Sequence, residues 1–386
     1  MGFDLTPEQQ ALQAKARRFS KEVIAPVAAQ HDRDGTFPLD VLQKAYQEGF
    51  STPLVPKKYG GQGLSVLDTC ILYEELAAGC MGIYLSIFVS TLALYPIVKF
   101  GTEEQKDRFL KPFCEKFSLA SYCLSEHTVG SDPASMKTTA VLDGDHYVVN
   151  GTKMWITNGG YADLYLVFAN ADPQKKHKGI VCLVVPSDLE GISHGEPIDK
   201  MGQRASNTTV VTFRNVRVPR ENLLAAEGEG FKKAMAALDI TRPMIAVGAV
   251  GIGRAAMELS VAYAKKRVQF GVPIARHQAV QFMLADMAKD LDAARLLVWK
   301  AAWLADQGIR NSKEAAIAKA FAADMAMRVT TDAVQVYGGV GYTRWHPVEK
   351  LMRDAKVIQI YEGTAQIMRI VIARQILQET EKELNA

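Results

Sequence analysis

Cysteine is scarce in this 386-residue sequence and falls into no pattern. The five residues, Cys70, Cys80, Cys114, Cys123 and Cys182, are odd in number and contain no CxxC, which argues against a disulfide framework and a structural zinc site. They read as small buried hydrophobes in a reducing compartment. Charge of one sign is also missing: 45 Lys and Arg against 42 Asp and Glu leave +3, interspersed along the chain, which is not the footprint of a nucleic-acid binder. His127, His146 and His346 lack metal-ligand spacing, so no metal is expected, and no GxSxG supplies a nucleophile elbow. MGFDLTPEQQ, at the start, has neither the charged start and apolar run of a signal peptide nor the Arg-rich make-up of a transit peptide, which makes the cytoplasm the expected address. Uncharged runs long enough to span a bilayer are limited to one, the 23 residues from Leu76 to Val98. With Gly79, Gly82, Ser86, Ser90, Thr91 and Pro96 inside it, this run is expected to be a helix buried on all sides rather than a membrane span.

What is there is ordinary globular composition, 48% hydrophobic and 23% charged, over a length that calls for two or three packed regions. Thr6 as N-cap, Pro7 at the first helical position and Gln9 form a capping box that opens a helical pattern, with Leu12, Ala16, Phe19 and Val23 on one face. Thr102 and Gln105 offer a second capping box. Near residue 120 the period changes. HYVVNG after Asp143-Gly144 reads as half of a hairpin, and YLVFAN, GIVCLVVP and TVVTFRNVRVP read as strands. Beyond Gly230 helical patterns return over Leu238 to Ala264, Gln278 to Ala305, Lys313 to Val336 and Ile367 to Leu377. Leu284, Met287, Leu291, Ala294 and Val298 form a bundle-type stripe. The expected division is a helical domain over 1–120, a small β domain over 121–225 and a helical bundle over 226–386. This α, β, α succession does not resemble alternating βα units, which disfavours a nicotinamide-dinucleotide fold.

Single motifs have plain readings. Tyr337-Gly338-Gly339-Val340-Gly341 follows a helix rather than a strand and reads alone as a C-terminal cap. Glu362, in Gln359-Ile360-Tyr361-Glu362-Gly363-Thr364, sits among apolar and aromatic neighbours where desolvation would raise its pKa toward the range of a general base; a surface or capping Glu is the alternative.

Their order carries more. Ser125-Glu126-His127-Thr128-Val129-Gly130-Ser131-Asp132, Met154-Trp155-Ile156-Thr157-Asn158-Gly159, Arg267-Val268-Gln269-Phe270-Gly271, Gln335-Val336-Tyr337-Gly338-Gly339 and Tyr361-Glu362-Gly363-Thr364 occur in succession. This series resembles the acyl-CoA dehydrogenases over essentially the whole chain. The resemblance implies an α+β fold with an N-terminal helical domain, a central small β-barrel domain and a C-terminal four-helix bundle. It also implies FAD between the β domain and the C-terminal helices. Tyr122, Leu124, Ser125, Gly130 and Ser131 match the family's first strand and loop of the flavin and substrate site, and Trp155 and Thr157 the segment against the flavin ring. Arg267, Phe270, Gln335, Gly338 and Gly339 match residues that reach a neighbouring subunit's flavin, while Thr364 and Gln366 match own-subunit contacts. A homotetramer, a dimer of dimers, follows by analogy.

Glu362 matches the base that takes the α-proton of an acyl-CoA as the β-hydrogen leaves as hydride to the flavin. Tyr361 and Gly363 flank it as substrate contacts. Arg242, in Asp239-Ile240-Thr241-Arg242-Pro243, matches a position near the phosphorylated end of the substrate, with Asp239 beside it as a further candidate substrate contact and an ion pair of Arg242 to Asp239 or another acid as the alternative. Some relatives place their base near here, but Thr241 is no acid. Two departures stand out: His127 replaces a usual Pro and Val129 a usual Ala. Cys80 to Tyr95 resembles the helix lining the acyl pocket. It holds no Arg, so a neutral acyl group is expected, short, branched or alicyclic such as cyclohexane-1-carboxyl, or medium-chain; Tyr84, Phe88 and Tyr95 suit the shorter groups, with core packing as the alternative. Thr91 is a candidate acyl contact. The expected electron acceptor is an electron-transfer flavoprotein. An oxidase, a non-oxidative eliminase and a silent helical binding protein are the rival readings.

Overall fold

A computed structural model describes residues 4–384. Helix α1 (Pro7–Phe19) opens on the Thr6–Gln9 capping box, passes through a π-helical turn at Ser20–Ile24 and continues as α2 (Ala25–Asp34). After α3 (Leu39–Gln47) come α4 (Val66–Gly79), α5 (Met81–Phe100) and α6 (Glu103–Glu115), the last opening on the Thr102–Gln105 box. The uncharged run is therefore two helices, not one. Cys80, with φ −166° and ψ 120°, breaks it and re-aims α5.

Strands β1 (Ala120–Cys123), β2 (Thr139–Asp143), β3 (His146–Thr157), β4 (Leu164–Asn170), β5 (Ile180–Pro186), β6 (Ile192–His194) and β7 (Thr208–Pro219) form one curled sheet, half of a barrel. The hairpin expected at Asp143-Gly144 joins β2 to β3, with Asp143 opposite His146 and Gly144 at φ 63°. Strand β4 pairs with β5 along one edge and with β1 and β2 on the other. Leu164, Leu166 and Phe168 face a core shared with α5 and α6, and Tyr165, Val167 and Ala169 face the half-barrel interior, so β4 is buried on both sides.

The last third holds α7 (Gly230–Lys266), a ribbon of β8 (Val268–Gln269) and β9 (Val272–Pro273), α8 (Gln278–Asp306), α9 (Ser312–Tyr337), the short α10 (Val348–Lys356) and α11 (Ala365–Leu384). Sequence periodicity did not single out α10. Helices α5 and α7 are long and apolar enough to cross a membrane, yet 89% and 72% of their most apolar windows are buried inside the protein. One apolar core runs from Phe19, Leu72 and Phe88 through Val247 to Leu291 and Val329, so the first and last thirds share it.

That core encloses an ionic network. Glu74 and Glu75, both buried on α4, receive Arg254 of α7 at 3.0 and 2.6 Å; Arg295 of α8 adds a 2.9 Å bond to Glu74, and Arg17 of α1 adds one of 2.8 Å to Glu75. Each carboxylate thus meets two guanidinium groups, and the loss of any one still leaves it a partner.

Candidate active site

The backbone between α10 and α11 leaves ordinary helical space at two consecutive residues, Glu362 at φ 51° and Gly363 at φ 91°. A left-handed glutamate is strained by ~1–3 kcal/mol and persists only where its surroundings enforce it. Here they do so on every side. Lys319 of α9, fully buried, donates to the carbonyls of Tyr361 at 2.9 Å and Gly363 at 2.5 Å. One turn on, Asp324 accepts from Gln359 Nε2 and Arg369 Nη2, both at 2.7 Å, gripping the loop before and after the strained pair. Thr364 caps α11 by accepting from the Ile367 N–H at 3.1 Å, and Gln203 donates to the Tyr361 hydroxyl at 3.2 Å.

Both carboxylate oxygens of Glu362 are buried and have no hydrogen-bond partner among the described residues. Burial pushes the carboxyl up to about 7, with Arg242 and Lys319 opposing the rise. Burial likewise brings Lys319 down to about 8. Among the other buried polar atoms without partners in the described residues are Arg242 Nε and Tyr122 Oη, and the Tyr122 phenol, raised chiefly by burial, feels the charges of Glu362 and Arg242. Groups from β1, α7, α9 and the α10–α11 loop thus converge with unspent hydrogen-bonding capacity. A buried, unpaired carboxylate near neutral pKa beside an unfilled donor is suited to accept a proton from a bound molecule.

Arg242 is also ion-paired with Asp239, so the alternative reading of this arginine holds for one edge of its guanidinium while the Nε edge is open. Asp239 takes a second bond from Ser312 Oγ.

On the sheet side, the segment after β1 is set by Glu126. It accepts from the N–H groups of Lys137 and Thr138 at 2.8 and 2.9 Å and from Lys153 Nζ at 2.9 Å. Burial raises this carboxyl, but Lys153 and the donors outweigh it and hold it below the ordinary range. Ser125 is tied to the same strand, its carbonyl accepting from Met154 N–H at 3.0 Å. Leu124 is half-buried, while Gly130 and Ser131 lie exposed, with open space where a Cβ on Gly130 would stand. Val129 packs into the core and His127 lies outside, its Nδ1 3.3 Å from Met154 Sδ. A bulge between Lys153 and Ile156 puts Trp155 at φ 65° and turns its indole outward, 54% exposed, while Thr157 ends β3 with its carbonyl bonded to Ser121. An outward aromatic face, an open glycine loop and unpartnered donors fit a planar, hydrogen-bonding ring system such as a flavin.

A second group lies elsewhere. Tyr263 of α7 stacks on Tyr337 of α9 with centroids 4.0 Å apart, which brings Arg267–Phe270 and Gln335–Gly339 to one end of the helical layer. Gln335 is sixteen residues along α9 from Lys319, about 24 Å by helical rise. Arg267, Phe270, Gln335, Gly338 and Gly339 are exposed, Phe270 to 92%, and in one chain they do not reach Glu362. Gln366 is exposed on the first turn of α11. Thr91 is buried with its hydroxyl 2.7 Å from that of Tyr73, and so engaged by the protein itself. Tyr84 and Phe88 stack at 5.9 Å, with Tyr73 edge-on to both; the Tyr84 hydroxyl donates to the Met244 carbonyl at 2.7 Å, and its phenol feels Glu362.

Three sequence-family models match in chain order: the acyl-CoA dehydrogenase N-terminal domain over 6–116, the middle domain over 121–216 and the C-terminal domain over 228–377. The chain belongs to the acyl-CoA dehydrogenase family. It is 43% identical over 380 residues to a probable medium-chain specific acyl-CoA dehydrogenase 2, mitochondrial, of Caenorhabditis briggsae, covering 98% of this chain and 92% of that one. Among solved structures it is similar to butyryl-CoA dehydrogenase of Megasphaera elsdenii, with 40% identity, TM-score 0.95, and coverage of 98% and 100% of the two chains. A solved chain described under the electron transferring flavoprotein of Acidaminococcus fermentans gives 44%, 0.96, 98% and 100%. The protein is an oxidoreductase acting on acyl-CoA, and membership implies a flavin cofactor.

Sequence reasoning missed Lys319 and Gln203. In AIAKAF the lysine looks like any solvated helix residue, and only the arrival of the α10–α11 loop buries it. For Gln203, with φ 49° and its N–H and side chain both bonded to Asp354, no local signal exists.

Proposed function

We propose that the chain is an FAD-dependent dehydrogenase that desaturates a neutral acyl-CoA between its α and β carbons, with Glu362 as base. The buried, unpartnered Glu362 carboxylate carries this reading. The acyl group is short, branched or alicyclic, such as cyclohexane-1-carboxyl, or medium-chain. An α5 without charge from Met81 to Val98 and the Tyr73–Tyr84–Phe88 cluster behind the base support that choice.

Tyr122, Leu124, Ser125, Gly130, Ser131, Trp155, Thr157, Thr364 and Gln366 would hold FAD in one subunit, with Arg267, Phe270, Gln335, Gly338 and Gly339 reaching it from a neighbour. The ~24 Å between Lys319 and Gln335 along α9 supports the sharing, and with it a homotetramer built as a dimer of dimers. When bound, the flavin supplies the acceptor for the β-hydrogen and its electron pair, and electrons then pass to an electron-transfer flavoprotein. The chain's own work is placement. Glu362 accepts the α-proton, and its oxygens are free to do so because no protein donor occupies them. Arg242, fixed by Asp239, points an open donor toward an anionic or carbonyl group of the substrate, and Tyr361, Gly363, Ser131 and Thr91 complete the substrate set. Five unpaired cysteines support the cytoplasmic location carried with this reading.

The test is an anaerobic visible titration of purified protein with straight, branched and alicyclic saturated acyl-CoAs. Bleaching of the oxidised flavin band by one of them is expected. A colourless protein, or a flavin none of them bleaches, would sink the proposal.

A further inference from the structure

We propose that Lys319 is a positioning residue for the base, holding Glu362 in its strained conformation and supplying the buried positive charge that keeps its carboxylate usable near neutral pH. The inference rests on Glu362 being the base.

Geometry carries it. The Lys319 ammonium, fully buried, reaches the carbonyls on either side of one residue, Tyr361 O at 2.9 Å and Gly363 O at 2.5 Å. A two-point clamp across Glu362 opposes relaxation of its φ from 51°, because rotating that backbone would pull one carbonyl or the other away from Nζ. An amide would satisfy carbonyls as well, and burying an ammonium is costly without a compensating interaction. The cation therefore needs a further reason. Asp324, the acid of the same helix whose charge also reaches Lys319, is already bonded to Gln359 and Arg369, which leaves the Glu362 carboxylate as the acid whose charge Lys319 chiefly meets. The charged groups facing the pair are Arg242 and Lys319 for Glu362, and Glu362, Arg242 and Asp324 for Lys319; the Tyr84, Tyr122 and Tyr361 phenols complete the wall. Arg242 spends part of its charge on Asp239, whereas Lys319 has no such partner among the described residues.

The two functions separate by substitution. Lys319→Met removes clamp and charge, Lys319→Gln removes the charge and keeps a donor, and Lys319→Arg keeps the charge. For Met, kcat is expected to fall ~10–100-fold with KM changed little, since a base displaced by about an ångström loses its line to the α-hydrogen. For both neutral variants the acid limb of kcat/KM is expected to move up by ~1 pH unit, because the carboxylate loses a nearby cation. Arg is expected to restore the wild-type limb. A readout independent of turnover is the carboxyl stretch of Glu362, followed by infrared difference spectroscopy across pH against Glu362→Gln as blank; its midpoint is expected to rise by the same ~1 unit in Met and Gln.

The controls keep the two proposals apart. If no acyl-CoA bleaches the wild-type flavin, or Glu362→Gln still turns over, the reading of Glu362 fails first. If wild type and Glu362→Gln behave as expected while folded Lys319→Met or Lys319→Gln shows unchanged kcat and an unmoved midpoint, Lys319 alone is overturned. Neutral variants that do not fold, beside a normal Lys319→Arg, would assign Lys319 to stability and overturn the positioning role.

Discussion

Asn311 donates its side-chain amide to the Asp239 carbonyl at 3.1 Å, the acceptor that Pro243, four residues on in α7, has no N–H to satisfy. The same amide reaches Ala301 O at 3.0 Å, so one buried side chain mends the break in α7 and ties it to the end of α8. Asn311→Ala leaves the Asp239 carbonyl unpaired and takes the second donor from the Ala301 carbonyl. A loss of ~1–3 kcal/mol is expected, read as a fall of several degrees in the thermal midpoint of the holoenzyme, together with a raised KM for acyl-CoA as Asp239 and Arg242 loosen. An unchanged midpoint would mean that water replaces the amide without cost.

Glu362→Gln is expected to abolish dehydrogenation, by at least ~1,000-fold in kcat, while the protein stays yellow. The amide is isosteric and cannot take a proton at neutral pH. Rapid single-turnover mixing with the best acyl-CoA checks this; substantial bleaching at near wild-type rate would move the base elsewhere.

Glu362 also links stability to pH. Its folded pKa, about 7, lies above the ordinary 4.5, so between these values the native state holds a proton that the unfolded chain has released. Stability therefore falls as pH rises through that window. Lys319 acts in the opposite sense only above about 8 and is constant below it. Melting curves of wild type and Glu362→Gln from pH 5 to 8 are expected to diverge, with the Gln protein increasingly the more stable. Parallel curves would show that Glu362 is solvated.

Lys153 and Glu126 are a buried pair, 0% and 7% exposed at the side chain, that sets the Ser125–Asp132 loop. Lys153→Met is expected to cost ~3–5 kcal/mol and to weaken flavin retention on gel filtration, whereas adding Glu126→Gln recovers part of the loss by removing the stranded charge. Additive losses in the double variant would deny the coupling.

Local signals were legible where local chemistry decides. The capping boxes at Thr6 and Thr102 and the turn at Gly144 lie where the sequence puts them, because each is a contact within a few residues. The break at Cys80 was not. Gly79 advertises flexibility, yet a Cβ there would lie 2.5 Å from Ser20 Oγ, so this glycine answers to the packing of α4 on the π-helical turn. Likewise Glu362 could be singled out by its apolar neighbours and by family motif, while its strain, its unpaired oxygens and the lysine beneath it depend on chain 42 and 44 residues away. The left-handed turn of Trp155 is set by a bulge against β7, a register no single strand reveals.

The Glu74–Glu75 network has a consequence for how the chain is made. The guanidinium of Arg254 lies 179 residues downstream of Glu75, and that of Arg295 221 residues downstream of Glu74. At ~5–20 residues per second, a ribosome delivers them roughly 10–40 s after α4 has emerged. Until then Glu75 has only Arg17 of α1, and Glu74 has no cation at all, so the first helices cannot bury Glu74 without cost until the last third closes over it.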